Sequence, residues 1–318
     1  MKAYIIRRLI LIIPTLFLVS VFIFSILRLL PGDIALIILT GGGTTQIDPQ
    51  QYADLRQELG LDDPWHVQYF DWMWGMLRLE GGTSLWTGNP VFDDIARALP
   101  ATIQLTIMAL LFSLAIAIPL GVLSAMYRNS LLDHGMRIIA ISGLAMPDFL
   151  VGAVMILVMV IFFNWLPPLD YAGFFDDPAS NLQQMIWPAL ILGYIQAAFL
   201  ARMIRSTMLE VLGQDYIRTA WSKGLGSRYI YFRHALRNAL LPVVTVAGIQ
   251  TAQLLGGAVI VENIFVIPGI GSKLLEAVVN RDWVTLQTVV TIFAFANLLI
   301  NLFVDLLYGW LDPRIRYG

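Results

Sequence analysis

The sequence QDYIRTAWSKGLGSRYIYFRHALRNALLP, from Gln214 to Pro242, overlaps the longest polar and basic interruption of an otherwise apolar chain, Arg202 to Arg237. Apolar segments flank this interruption on both sides. A soluble domain hides its apolar segments in a core, whereas here the charged segment is the exception. The pattern predicts a water-exposed segment between two membrane spans.

Composition indicates the same class of protein. Of the 318 residues, 58% are hydrophobic and 13% are charged, against roughly 25% charged in a globular domain. Mean hydropathy is +0.73. We therefore expect an integral membrane protein. The net charge of -2 argues against a nucleic-acid partner, which requires a basic face. The absence of cysteine excludes disulfides, thiolate metal sites and cysteine nucleophiles.

About 20 apolar residues are needed to cross the hydrocarbon core as a helix, and six windows meet that length. They are Leu9 to Leu30, Leu99 to Tyr127, Ile138 to Leu166, Met185 to Met203, Leu240 to Phe265 and Leu286 to Leu311. Prolines inside them are expected to be tolerated, because neighbouring helices satisfy the freed carbonyls; these prolines are Pro14, Pro119, Pro147 and Pro188. The first window exceeds a signal-peptide apolar region of roughly 7–15 residues, and no small-residue cleavage site follows, so we expect it to be retained.

Basic residues predict the orientation, because cytoplasmic loops carry an excess of Lys and Arg. With a cytoplasmic N-terminus, the inner face holds Lys2, Arg7, Arg8, Arg128, Arg137, Arg202, Arg205, Arg218, Lys223, Arg228, Arg233, Arg237, Arg314 and Arg316. The first outer loop, about Pro31 to Ala98, is instead acidic. The prediction is six spans with both termini cytoplasmic.

This long outer loop also has a high content of large apolar side chains, namely Trp65, Tyr69, Phe70, Trp72, Trp74 and Trp86. One interpretation is a cap at the outer membrane surface, where Trp and Tyr concentrate. The other is a docking surface for a soluble partner. Gly41 to Gly43 and Gly81 to Gly82 are typical of turns or hinges within it.

The basic segment has its own helical pattern. Gln214 to Lys223 contains few helix breakers, Gly224 and Gly226 bracket a turn, and Tyr229 to Leu241 resumes a helical apolar stripe. Two short helices joined by a glycine turn would form a compact projection that fits a groove in another protein. The alternative is an ordinary cytoplasmic loop, since basic charge alone is expected there.

The motif RTAWSKGLG from Arg218, followed by RHALRNALLPVVT from Arg233, resembles the conserved cytoplasmic loop of permease subunits in binding-protein-dependent ABC importers, dipeptide/oligopeptide/nickel branch. Further segments agree: LPATIQLTI from Leu99, MPDFLVG from Met146, WLPPLDYAG from Trp165, VENIFVIPGIGSKLLEAVVNRDW from Val261 and NLFVDLLYGWLDPRIRYG from Asn301. The generic importer loop begins Glu-Ala-Ala, where this chain has Arg218-Thr219-Ala220, and its proline comes earlier than Pro242. Both departures are usual in the peptide branch, although Arg218 cannot make a salt bridge that requires the generic glutamate.

The resemblance implies an all-α, polytopic membrane protein with six transmembrane helices, the type I ABC importer permease fold and a large extracytoplasmic loop between helices 1 and 2. Residues 1–98 would form the first helix and that loop, and residues 99–318 a five-helix core with a coupling loop at 206–238. The coupling residues would be Asp215, Tyr216, Arg218, Thr219, Ala220, Lys223, Gly224 and Leu225.

The resemblance also implies partners: a second homologous permease, two cytoplasmic ABC ATPases, an extracytoplasmic solute-binding protein and membrane lipids. ATP and Mg²⁺ would be bound by the ATPases, and none of the catalytic, cofactor or metal residues would lie in this chain. The sequence itself is consistent with this division. It contains no Gly-x-x-x-x-Gly-Lys-Ser/Thr phosphate loop, no helical pair of metal-binding histidines and no Gly-x-Ser-x-Gly nucleophile elbow.

Polar residues inside the spans are candidates for a solute path, because placing them in lipid is costly. Gln250 and Gln253, near the middle of the fifth span, are the pathway prediction. Asn297, Asn301 and Asp305 repeat at i, i+4 and i+8, so they share one helix face, which favours helix packing. Glu262 and Asp148 are further polar positions.

We therefore expect a permease subunit in a bacterial or archaeal cytoplasmic membrane that imports di- or oligopeptides. Two alternatives remain open at this stage. The first is a permease for nickel or another chelated metal on the same scaffold, and the second is a membrane scaffold or receptor that binds an ATPase without moving solute.

Overall fold

Helices form nearly all of the regular structure, as expected where the backbone must satisfy its own hydrogen bonds in a membrane. The computed structural model describes residues 2–29, 35–36, 39, 48–58, 60–168 and 170–311. Within them the one departure from helix, turn and coil is an isolated bridge between Thr83 and Pro90. The helices are α1 Lys2–Leu29, α2 Pro49–Glu58, α3 Trp65–Leu77, α4 Val91–Met126, α5 Leu131–Ala145, α6 Asp148–Phe163, α7 Pro178–Leu212, α8 Asp215–Ser222, α9 Ser227–Tyr229, the π-helix Ile230–Ala235, α10 Leu236–Ile264, α11 Ile270–Val279 and α12 Trp283–Leu311.

Five helical segments of the described chain are long and apolar enough to cross a membrane. They lie in α1, α4, α7, the continuous segment Ser227–Gly256 and α12. The pair α5 and α6 passes the same test only together, bent by 107° at a short break. The six predicted spans are therefore found when this bent pair is counted as one span.

The third predicted span, Ile138 to Leu166, was wrong as one continuous helix. The helix ends at Ala145 and a new one begins at Asp148. Met146 adopts extended angles, φ -104° and ψ 132°, because the ring of Pro147 disfavours helical angles in the preceding residue. Pro14, Pro119 and Pro188 do lie inside continuous helices, so the general expectation of tolerated prolines failed only at Pro147.

The longest helices, α4 and α7, form the centre of the bundle and run parallel, since Gln104 contacts Asn181 near their start and Gly121 contacts Ile204 nearer their end. They have 36 and 35 residues, about 50 Å each at a rise of 1.5 Å per residue. Glycines allow the close approach. A Cβ at Gly193 would lie 2.8 Å from the carbonyl oxygen of Ala109, and one at Gly121 would lie 2.7 Å from the side chain of Ile204. Small residues serve this purpose widely in membrane helix packing.

The predicted outer loop contains more helix than the sequence suggested. The second span begins at Val91 rather than Leu99, and α2 and α3 precede it. Tyr69 of α3 is buried against α1, where its hydroxyl lies 2.7 Å from the Ser20 hydroxyl and its ring meets Phe24 edge to face. The glycine turn at Gly81 to Gly82 is present, with positive φ at both residues, whereas the one at Gly41 to Gly43 lies outside the described residues.

Candidate functional site

Helix α8, Asp215–Ser222, has one buried face and one exposed face. Ile217 and Ala220, three residues apart, are buried, while Asp215, Tyr216, Arg218 and Thr219 are exposed. Residues three apart lie on the same side of a helix. The helix therefore uses a narrow apolar stripe to hold itself on the bundle and presents its remaining surface to solvent.

The turn after α8 is a Schellman motif built on Gly224. The amide of Gly224 donates to the carbonyl of Trp221 (2.9 Å), and the amide of Leu225 donates to that of Ala220 (3.3 Å). Gly224 has φ +76°, the left-handed conformation that this motif requires and that glycine adopts without a Cβ penalty. The predicted glycine turn is therefore present, and its sharp bend at this point depends on Gly224.

A small apolar cluster fixes α8 to the rest of the bundle. It consists of Ile217, Ala220 and Ile230, with Leu212 and Leu225 packed at its edge. Ala220 and Leu225, two of the eight predicted coupling residues, thus face inward and hold the motif together. Ile217 and Ile230 were missed, although the spacing of Ile217 and Ala220 in a polar helix was a signal for this face.

The prediction of a second, separate short helix at Tyr229 to Leu241 was wrong. Helix α9, the π-helix and α10 follow one another without a break from Ser227 to Ile264, so this segment continues into the fifth predicted span. Pro242 lies inside α10 and does not end it. Consequently α8 connects through one glycine turn to a helix that runs into the membrane, and a displacement of α8 can be transmitted along that helix.

The exposed surface around α8 combines aromatic rings with positive charges. Tyr216, Trp221, Tyr229 and Phe232 are each between 44% and 49% exposed. The exposed basic residues of the same region are Arg218, Lys223, Arg228, Arg233 and Arg237. Such a surface, with amphipathic rings beside charges, is typical of a protein contact.

Two side-chain contacts order this surface. The amide of Asn238 donates to the Tyr216 hydroxyl (2.8 Å) and so joins α8 to α10. The Arg233 guanidinium lies 5.6 Å from the centre of the Tyr229 ring. The first contact therefore fixes α8 against α10, and the second lies within the continuous helix that follows the turn.

The two predicted pathway glutamines lie in different surroundings. Gln253 is exposed and shares a face of α10 with Ile249, Gly256 and Ile260. Gln250 is half-buried; its backbone carbonyl accepts a hydrogen bond from the Gln196 side chain (2.9 Å). Its side-chain oxygen is buried, with no hydrogen-bond partner among the described residues.

Other polar residues of the spans join helices. The buried Glu262 carboxylate accepts hydrogen bonds from the Thr102 hydroxyl (2.6 Å) and the Ser272 amide (3.0 Å), which ties α10 to α4 and α11. Asn301 is an exception, because its side-chain amide donates to Asn297 (2.8 Å) one turn earlier on the same helix, α12.

The strongest polar contact was not predicted from the sequence. The fully buried Asp133 carboxylate accepts two hydrogen bonds from the Arg205 guanidinium, both at 2.9 Å, and one from the Ser124 hydroxyl at 2.5 Å. Asp133 opens α5, Arg205 lies near the end of α7 and Ser124 near the end of α4. The ion pair therefore fixes three helix ends at the end of the bundle where α8 lies.

Two family models together match nearly the entire chain. Residues 117–317 match the binding-protein-dependent transport system inner membrane component, and residues 1–106 match the N-terminal part of such a membrane component. The chain belongs to this family of transport permeases. The matched residues 117–317 include α8 and its turn, so the polar surface described above lies in a permease of the binding-protein-dependent class.

Curated relatives cover the full length of this permease. It is 42% identical to the dipeptide transport system permease protein DppB of Alkalihalophilus pseudofirmus, over 100% of both chains. It is 39% identical to the Escherichia coli DppB, over 100% of this chain and 99% of that one. The fold is shared with a methionine ABC transporter structure, with a TM-score of 0.59 at 19% identity over 70% of this chain and 98% of that chain.

Proposed function

We propose that this permease translocates di- or oligopeptides across the cytoplasmic membrane of a bacterium or archaeon, with ATP hydrolysed by partner subunits. The full-length relatives are named for dipeptides or peptides, which favours a peptide substrate over nickel or another chelated metal. The chain itself would have no catalytic role.

The observation that carries the proposal is the arrangement of α8. Its aromatic and basic surface is exposed, its inner face is anchored by Ile217 and Ala220, and it joins a membrane helix through the Gly224 turn. A cytoplasmic ATPase that bound this surface would act on a rigid element rather than on a flexible loop.

The remaining partners follow from the same proposal. Two ATPases would bind ATP and Mg²⁺, a second homologous permease would complete the path, and a solute-binding protein would deliver the peptide on the outer side. The exposed Arg218, Lys223 and Arg228 support a cytoplasmic position for α8, because basic residues concentrate on that side. Both termini would then be cytoplasmic.

For the solute path, Gln253 is the stronger of the two glutamines. It lies on a face of α10 that the described residues leave uncovered, next to Gly256, where a Cβ would have nothing within 4 Å. Exchanging Gln253 for Leu should lower uptake or change peptide preference without loss of assembly. Gln250→Leu is the comparison, and its effect should be on stability, because that residue is half-buried. The proposed path would be wrong if Gln253→Leu left uptake and preference unchanged.

The test of the proposed function is uptake by the complete complex in spheroplasts. A labelled dipeptide should accumulate in an energy-dependent manner, and excess unlabelled dipeptide should compete while nickel salts should not. Competition by nickel alone would support the metal alternative. An assembled complex that moved neither solute while stimulating its ATPase would support the scaffold alternative.

A further inference from the structure

A cavity that the proposed transport function does not use lies beside the buried ion pair, between α4, α5 and α7. Its volume is about 220 Å³. Its walls include Leu120 of α4 and Ile141 and Leu144 of α5, and its polar side is formed by Arg137, Arg202 and Arg205. Arg205 lies seven residues before the end of α7, so the cavity is at the same end of the bundle as α8.

Two positive charges at this cavity are uncompensated. Arg205 is neutralised by Asp133, at 2.9 Å. Arg137 and Arg202 are exposed, and within the described chain neither lies within salt-bridge distance of a carboxylate. The Arg202 guanidinium instead lies 5.4 Å from the centre of the Phe199 ring. The site would therefore attract an anion.

The apolar side of the cavity narrows the choice of anion. Ile141 and Leu144 are 60% and 41% exposed, and the neighbouring Ile138 is 67% exposed. A free phosphate ion would satisfy the arginines and leave this surface unused. An anionic phospholipid would satisfy both parts, with its headgroup at the arginines and an acyl chain along α5. Basic pockets between membrane helices on the cytoplasmic side bind such headgroups.

We infer that this cavity binds one anionic phospholipid of the inner leaflet through Arg137 and Arg202. The inner-leaflet position rests on the proposed orientation of the permease. The binding itself does not, because it can be measured in detergent without transport. A lipid held here would contact α4, α5 and α7 at the point where Asp133 and Arg205 join them, and so would stabilise the end of the bundle that carries α8.

The experiment is native mass spectrometry of the purified permease complex in detergent with an equimolar mixture of dioleoylphosphatidylglycerol and dioleoylphosphatidylcholine. The unmodified protein should retain phosphatidylglycerol preferentially. The double variant Arg137→Gln/Arg202→Gln should lose about 30-fold in phosphatidylglycerol affinity, equivalent to about 2 kcal/mol for two basic residues. Arg137→Lys/Arg202→Lys should retain most of the affinity. Arg128→Gln is the matched control, because Arg128 is exposed in the adjoining turn and does not line the cavity.

A second variant tests the apolar wall and covers the case in which the double variant fails to fold. Leu144→Trp keeps both charges but fills the cavity, and it should also weaken phosphatidylglycerol retention. Displacement by inorganic phosphate, with no effect of Leu144→Trp, would identify a simple anion site and overturn the inference. Equal retention of the two lipids by the unmodified protein would also overturn the inference. So would a double variant that releases the ATPases but retains as much phosphatidylglycerol as the unmodified protein.

Discussion

Gly224 provides the sharpest test of how α8 is held. A substitution there would meet no steric obstacle, since a Cβ would have nothing within 4 Å. Its cost would come from the backbone, because φ is +76° and a non-glycine residue in the left-handed region costs about 1–2 kcal/mol. Gly224→Val should therefore shift the equilibrium between the packed and unpacked turn by about 5- to 30-fold.

Gly226 is the matched control for this change. It lies two residues further on, a Cβ there would also have nothing within 4 Å, and its φ is -67°, which any residue adopts. Gly226→Val should therefore be nearly silent. Gly224→Asn should restore much of the loss, because Asn tolerates the left-handed conformation.

The assay combines hydrogen exchange with transport. Exchange of the Gly224 and Leu225 amides, which close the Schellman motif, should accelerate in Gly224→Val, and solute-stimulated ATP hydrolysis in proteoliposomes should fall with it. Two results would refute the argument that the left-handed backbone at Gly224 holds the turn. One is an equal effect of Gly224→Val and Gly226→Val, and the other is a Gly224→Asn protein as impaired as Gly224→Val.

Two further predictions concern stability and orientation. Asp133→Asn leaves the partly buried Arg205 charge unpaired and should destabilise the protein by about 3–5 kcal/mol, seen as a lower thermal unfolding temperature. Glu210→Gln, at an exposed site on the same helix as Arg205, should have little effect, and an Asp133→Asn protein as stable as that control would contradict the role of the pair. Because the chain has no cysteine, Asn89→Cys should react with a membrane-impermeant maleimide in intact cells and Ser227→Cys only after lysis. The reverse labelling would overturn the proposed orientation.

Hydropathy was sufficient to predict the class of fold and the approximate position of each span, because long apolar windows have few alternatives in a membrane. It did not predict which proline would break a helix. Pro188 lies inside α7, whereas Pro147 ends α5. After Pro147 the new helix packs with Gly152 against Ile264 and Phe265, a tertiary contact that no local pattern contains.

The candidate site was predictable only where its structure depends on residues close together in the sequence. The α8 helix and its glycine turn are local, and short-range patterns predicted both. The continuity of Ser227–Ile264 was missed, because basic and aromatic residues interrupt the apolar run where the helix leaves the membrane. Asp133 and Arg205 are 72 residues apart, and Thr102 and Glu262 are 160 apart. Nothing in one sequence pairs such residues.

Photo-crosslinking from position 221 tests the central claim, that the exposed surface of α8 receives the ATPase, most directly. Trp221 is 44% exposed on α8, so a photoreactive amino acid there should crosslink to the ATPase subunit in the assembled complex, with a yield that changes when ATP is bound. The same amino acid at Asn89, exposed in the turn before α4, should give no ATPase crosslink. An ATPase crosslink from position 89, or none from position 221 in a complex that still imports peptide, would contradict the account.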